Sequence, residues 1–202
     1  MGAGQSTEEK TAFHVLKVVD NSPASAAQLD PYFDYIVAVN DTPVIQETPN
    51  IVAAIAKENI GKSIKFTVFS SKNELFRDCH IIPSDNWGGV GLLGAKVVLI
   101  SIGCSIRFCS YDKAAERVWH VLNVHPNSPA SRAQLIPNSD YILGCENELL
   151  MNNEDLGALL SQRNKIPIKM IIFNCESGKC REVEITPDSE WGGVGRYAWY
   201  LI

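Results

Sequence analysis

The chain opens with Met1-Gly2-Ala3-Gly4-Gln5-Ser6, which fits the pattern M-G-x-x-x-[ST] read by N-myristoyltransferase. Removal of Met1 makes the small Gly2 the acylated amine, and Ser6 stands where the pattern requires it. The alternative for such a segment is a frayed polar N-terminus. The other groups with chemistry to offer are six cysteines: Cys79, Cys104, Cys109, Cys145, Cys175 and Cys180. None forms a C-x-x-C pair and no charged-then-apolar signal peptide precedes them, so they read as reduced thiols in the cytosol. Cys175 and Cys180 flank a Ser177-Gly178 turn and are expected as cross-strand neighbours, in a compartment that disfavours a stable bridge. Catalysis has no constellation to work with. There is no G-x-S-x-G, no H-E-x-x-H, no P-loop and no G-x-G-x-x-G after a clear strand, and Ser, His and Asp fall in no order that nucleophilic chemistry uses. The chain reads as a binding protein, not an enzyme, with no cofactor required.

Any binding surface must be held by a fold, and composition bounds what that fold is. The 202 residues are 46% hydrophobic and 20% charged, which suits one large soluble domain or two of ordinary size. A formal net charge of -5 and a pI near 5.4 argue against nucleic acid as a partner, because phosphate binding needs clustered Lys and Arg. The weakly polar stretch from Gly88 to Ile106 only borders on the length of a membrane span and is interrupted by Lys96 and several glycines. Two consecutive strands are expected there.

An internal repeat organises the rest. His14-Val15-Leu16 and Asn21-Ser22-Pro23-Ala24-Ser25 return as His120-Val121-Leu122 and Asn127-Ser128-Pro129-Ala130-Ser131, an offset of 106. Ala27-Gln28-Leu29, Asp34-Tyr35-Ile36 and Trp87-Gly88-Gly89-Val90-Gly91 also recur, the last as Trp191-Gly192-Gly193-Val194-Gly195. A period this long is a duplicated domain with its own core, not a solenoid repeat. Within copy one, Phe13 to Val19 reads as a strand, and Ser22-Pro23 caps a short helix running towards Leu29. Tyr35 to Val39 is a β-branched run stopped by the turn signal Asn40-Asp41. Thr48-Pro49 then starts a second helix with Ile51, Val52 and Ile55 on one face, and Ile64 to Phe69 and Leu75 to Ile82 form a hairpin. Copy two repeats the plan with Leu156, Leu159 and Leu160 on its helix, then Ile168 to Phe173 and Arg181 to Ile185. The class is mostly β with short helices (α+β), two helices per module.

The run Asn21-Ser22-Pro23-Ala24 … Leu29 … Phe33-Asp34-Tyr35-Ile36-Val37-Ala38-Val39-Asn40 is similar to the PDZ signature, in which a small-residue helix leads to G-D-x-I and a V-N-G turn, with Phe33 in place of the Gly. Together with the duplicated Trp-Gly-Gly, Arg107-Phe108-Cys109-Ser110, Val118-Trp119-His120-Val121-Leu122 and Cys180-Arg181-Glu182-Val183, it makes nearly the whole chain resemble the Golgi reassembly and stacking (GRASP) family. The resemblance implies two tandem PDZ-like, partly open β-barrels: an acylated segment over 1–12, a first domain over 13–103 with its last strand extending as far as 110 in one reading, and a second over 104–202. It implies a tether on the cytoplasmic face of Golgi membranes, held by an N-myristoyl group, that associates with itself and with golgin-type coiled-coil proteins. The alternative is a soluble cytosolic scaffold that binds C-terminal peptides without a membrane role.

A PDZ groove works by strand addition to a sheet edge beside a helix, with backbone amides holding the ligand's carboxylate. Leu92-Leu93-Gly94-Ala95 is the candidate carboxylate loop, and Ile51, Val52 and Ile55 supply the helix wall, unless these side chains are simply core. The resemblance also suggests His14 and Cys109 as half of a zinc site completed by a partner, against the plainer reading of a core histidine and a buried thiol. One departure from the family stands out. Lys96 to Gly103 is inserted between Leu-Leu-Gly and the Arg-Phe-Cys strand, as an extra strand, a replacement for the last strand, or retained non-coding sequence. At the other end, Tyr200-Leu201-Ile202 reads either as the last strand of copy two or as a hydrophobic-class PDZ ligand.

Overall fold

The computed structural model describes residues 10–45, 49–88, 97–99, 104–145, 150, 153–193 and 199–201, with backbone alone for 49–51, 97–99, 153 and 199–201. Two compact units divide the chain, 1–115 and 116–202. In the first, β1 (Thr11–Val18) leads through α1 (Pro23–Ala26) to β2 (Asp34–Val39) and a two-residue β3 (Thr42–Pro43). Helix α2 (Pro49–Glu58) precedes the hairpin of β4 (Ile64–Ser70) and β5 (Leu75–Ile81), and β6 (Val97–Leu99) and β7 (Cys104–Ser110) follow. A 3-10 turn at Ala114–Glu116 closes the segment. The second unit runs β8 (Trp119–Val124), α3 (Pro129–Arg132), β9 (Asp140–Cys145), α4 (Asn153–Gln162), β10 (Ile168–Asn174), β11 (Lys179–Ile185) and β12 (Trp199–Leu201). All pairing is antiparallel, in the orders β5-β4-β2-β1-β7-β6, with β3 on β2, and β11-β10-β9-β8-β12. The protein is therefore mostly β with short helices, as the repeat predicts.

The duplicated motifs turn out to be backbone devices. Ser22 and Ser128 sit extended ahead of α1 and α3 and accept the amide of the third residue on, Ser25 or Ser131, at 3.2 and 3.1 Å. The helix expected to run towards Leu29 stops at Ala26, because Gln28 swings into the left-handed region at φ 57. Leu29 N–H then bonds Ala24 C=O and Gln28 N–H bonds Ser25 C=O, a Schellman pairing that satisfies the orphan carbonyls of so short a helix. Gln134, Leu135, Ala130 and Ser131 reproduce it. Asn40 and Asp41 both adopt positive φ, the hairpin geometry that the Asn-Asp turn signal announces. Gly88 and Gly192, each the first glycine of a Trp-Gly-Gly, lie at φ 87 and 96, where a side chain is strained.

Alternation along β1 splits the first module into two layers. Phe13 and Val15 face a main core with Ile36, Val52, Phe66, Val68 and Ile106, while Ala12 faces a smaller cluster with Tyr35, Cys109 and Ala114. Each fully buried Phe or Ile in the main core contributes about 2–3 kcal/mol of transfer free energy. The second core is built likewise around Trp119, Ile142, Leu156, Leu160 and Met170.

Several expectations shift. β1 begins at Thr11, inside the segment expected to precede the first domain. Cys104–Ser110, expected at the head of the second domain unless the first extended to 110, pairs with β1 from Thr11↔Ser110 to Val18↔Cys104 and so belongs to the first unit. The insertion does not replace that strand. It places β6 outside it, at Val97↔Ile106, Val98↔Ser105 and Leu99↔Cys104. Cys175 and Cys180 are not cross-strand partners: Cys180 faces Phe173, and Cys175 stands in the turn beyond the last pair, Asn174↔Lys179. Trp199–Leu201 pairs with β8 in its own module, so the strand reading of the C-terminal residues holds for 199–201. No helix among the described residues is long and apolar enough to cross a membrane.

Candidate functional site

Three elements of the first module build a candidate groove: α2, the sheet edge at β7, and the strand β6 that lies on that edge and runs close to α2. Of the three side chains expected on the helix wall, Val52 is 2% exposed and sits in the main core, whereas Ile55 is half-buried and packs against that core from its margin. The side chain of Ile51 lies outside the described residues, as do Leu92, Leu93, Gly94, Ala95 and Gly2. Burial of Val52 follows from helical spacing. Val52 and Ala56 are four apart and both inward, so Ile55 is left at the edge of the stripe, where a neighbouring strand can meet it.

The opposite face of the sheet carries the candidate metal residues. Ala12 pairs with Cys109 and His14 with Arg107, so His14 and Cys109 are diagonal neighbours on one face of adjacent strands. The His14 ring stacks on Tyr35 at 4.3 Å between centroids, and Tyr35 belongs to the small cluster that also contains Cys109. Nε2 of His14 lies 2.9 Å from the Tyr32 carbonyl, which only accepts, so Nε2 carries the proton and Nδ1 is the basic nitrogen. His120 repeats the arrangement against Tyr141 and the Asn138 carbonyl. Imidazole and thiolate suit zinc, but a structural site takes four ligands. Among the described residues no group of three or more His, Cys, Asp and Glu side chains comes together to complete one.

A pair that sequence reasoning left out anchors both modules. Asp34 is fully buried and accepts two bonds from Arg77, Nη1 at 2.8 Å and Nη2 at 2.5 Å, plus the Asp30 amide at 2.7 Å. Arg77 also donates to the Gln28 carbonyl, the residue whose left-handed turn ends α1. Asp140, Arg181, Ile136 and Gln134 match these groups one for one. Burial alone would push the Asp140 carboxyl up, but hydrogen bonds from Arg181, Asn174 and the Ile136 amide outweigh it and hold the group below the usual carboxylate range. The signal was available. Arg181 lies in the block Cys180-Arg181-Glu182-Val183 and Arg77 is its equivalent in the first copy, but nothing in the spacing says that Arg reaches the buried Asp of the PDZ-like signature.

The thiols divide by position. Cys104 is buried among apolar neighbours and pushed up to about 12, which leaves it unreactive, while Cys175 and Cys180 are exposed and unbridged.

The sequence that builds these two modules matches a family model described as the GRASP55/65 PDZ-like domain, twice, over residues 3–99 and 98–198. The chain belongs to that family. It is 41% identical over 198 residues to Golgi reassembly-stacking protein 1 of Mus musculus, covering 96% of this chain and 42% of that protein. The Homo sapiens protein of the same name is 40% identical over 199 residues, at 96% and 43% coverage. GRASP65 homolog protein 1 of Saccharomyces cerevisiae is 30% identical over 191 residues, covering 82% of this chain and 51% of its own length. The chain thus spans about half the length or less of these relatives. Family membership makes it a protein of tandem PDZ-like modules.

Proposed function

We propose that the chain is a membrane tether of the Golgi surface, acting through self-association of its PDZ-like modules and through coiled-coil partners of the golgin type. The observation that carries this reading is the match of both modules, over 96% of the chain, to relatives named for Golgi reassembly and stacking. The first-module groove, with Ile55 on its helix wall and Leu92-Leu93-Gly94-Ala95 as its carboxylate loop, takes an extended apolar segment from a second copy by strand addition. His14 and Cys109 supply two zinc ligands where a partner brings two more. Their shared face and the donor chemistry support this role.

Gly2 carries the myristoyl group. One such chain holds a protein only marginally at a membrane, and Lys10 is the nearest basic residue, so a second attachment must come from oligomerisation or a partner. Tethering supplies it, since acylated copies joined across a gap hold their membranes with an effective concentration that neither has alone. The test is localisation of a fluorescent fusion beside its Gly2→Ala variant. A juxtanuclear punctate pattern that turns diffuse in the variant is expected; two equally diffuse patterns overturn the tether in favour of a soluble scaffold.

A further inference from the structure

The two modules differ at the one edge that strand addition would use. Both lay a strand that follows the Trp-Gly-Gly on the first strand of the module, β7 on β1 and β12 on β8, and both interrupt that pairing with the same bulge, between Val15 and Lys17 in one and between Tyr200 and Leu201 in the other. Cys104 therefore corresponds to Trp199. Sixteen residues lie between Trp87 and Cys104, whereas seven lie between Trp191 and Trp199. The surplus contains β6, which pairs antiparallel with the outer edge of β7 at three positions and runs beside α2. Among the described residues β12 carries no strand on its outer edge.

We propose that β6 is an internal pseudo-ligand: it occupies the β7 edge beside α2 and holds the first-module groove closed until a competing segment from a second copy displaces it. This rests on the groove reading given above and adds its regulation. The backbone groups on the outer edge of β7 can bond only one strand at a time, and β6 has taken that edge at Cys104–Ile106. Val97-Val98-Leu99 has the β-branched, apolar composition of a strand, and its tether to β7 gives it the advantage of an intramolecular competitor. Yet three paired residues make a marginal strand, so the closed form is reversible. A groove open for about a tenth of the time binds its ligand about tenfold more weakly than one that is always open.

The test measures self-association of the full chain by sedimentation velocity, comparing it with a deletion of residues 96–103 and with a Val97→Pro, Val98→Pro double variant. Successive strand residues point their amides to opposite edges, so one of the two prolines necessarily removes a donor facing β7. Each variant is also made with Ile55→Asp. The expected result is a dissociation constant about tenfold lower in both β6 variants, with the gain abolished by Ile55→Asp. Unchanged dissociation constants in folded β6 variants overturn the proposal; if Ile55→Asp still weakens the parental chain, the groove reading survives that loss. An Ile55→Asp change without effect in any background overturns the groove reading together with its gate. Loss of amide-exchange protection at Phe66 and Val68 in both β6 variants shows β6 to be part of the core, and likewise overturns the proposal.

Discussion

Set against each other, the two modules share what bends and anchors the backbone and diverge at their edges. The serine caps, the left-handed Gln28 and Gln134, the stacked His–Tyr pairs and the buried Asp–Arg pairs recur almost atom for atom. The sheet rims do not. On its first rim, β5 shows solvent Leu75 and Phe76, with Phe76 packed 5.1 Å from Phe69, where β11 carries Lys179 and Cys180. On the other rim, β6 covers β7 at Cys104–Ile106, while among the described residues β12 carries no outer strand. A duplicated domain keeps the groups whose loss would leave a buried polar atom unsatisfied, and is free to change those that meet solvent or a partner.

The sharpest way to break the comparison is at the shared ion pair. Arg77→Ala strands a fully buried carboxylate and should destabilise the first module by about 3 kcal/mol. Arg181→Ala should cost the second module less, because Asp140 keeps a bond from Asn174 Nδ2 at 2.8 Å, and Ser70 stands in the position equivalent to Asn174. Hydrogen exchange read separately on β4 and β10 peptides checks both; equal losses would mean that Asn174 does not share the charge.

Next come the duplicated turn glycines. Gly88→Ala and Gly192→Ala each force an L-residue into the left-handed region and should cost about 1–2 kcal/mol, similar in the two modules. Gly193→Ala should harm only the second, since a Cβ there would meet the Trp191 ring at 1.9 Å. Thermal unfolding of the three variants gives the ranking.

Acidification should separate the modules more gently. Asp140 is held low in the folded state, so its contribution is complete above the ordinary carboxylate value near 3.8 and is lost as pH falls through its depressed folded value. Asp30 in the first module is raised, chiefly by burial, so its protonation on the way down favours the fold. Its counterpart at the repeat offset is Ile136. Exchange protection of β10 should therefore fail at a higher pH than that of β4, and the reverse order would contradict the assignment.

The smallest effect is expected at Trp119, which stands where the first module has Phe13. Its Nε1 is buried with no hydrogen-bond partner. Trp119→Phe removes the stranded donor at the expense of some volume, and the two terms should cancel to within about 1 kcal/mol. Denaturant midpoints measure the balance.

Much of this architecture was legible in the chain. The 106-residue offset announced two modules, Ser-Pro announced the helix starts, and Asn40-Asp41 announced a turn, because caps and turns depend on the side chains and φ preferences of adjacent residues. Even the alternation that puts Phe13 and Val15 inward was readable, since a strand sends alternate side chains to opposite faces. Pairing between distant segments was not. That Cys104–Ser110 closes the first sheet rather than opening the second, that Arg77 reaches Asp34, that Val52 is core while Ile55 sits at its margin, and that the insertion adds a strand instead of replacing one are all long-range choices. A β-prone run states only that it will pair. Which edge it takes depends on which edges the rest of the fold leaves open, and that competition is decided between residues far apart in the chain.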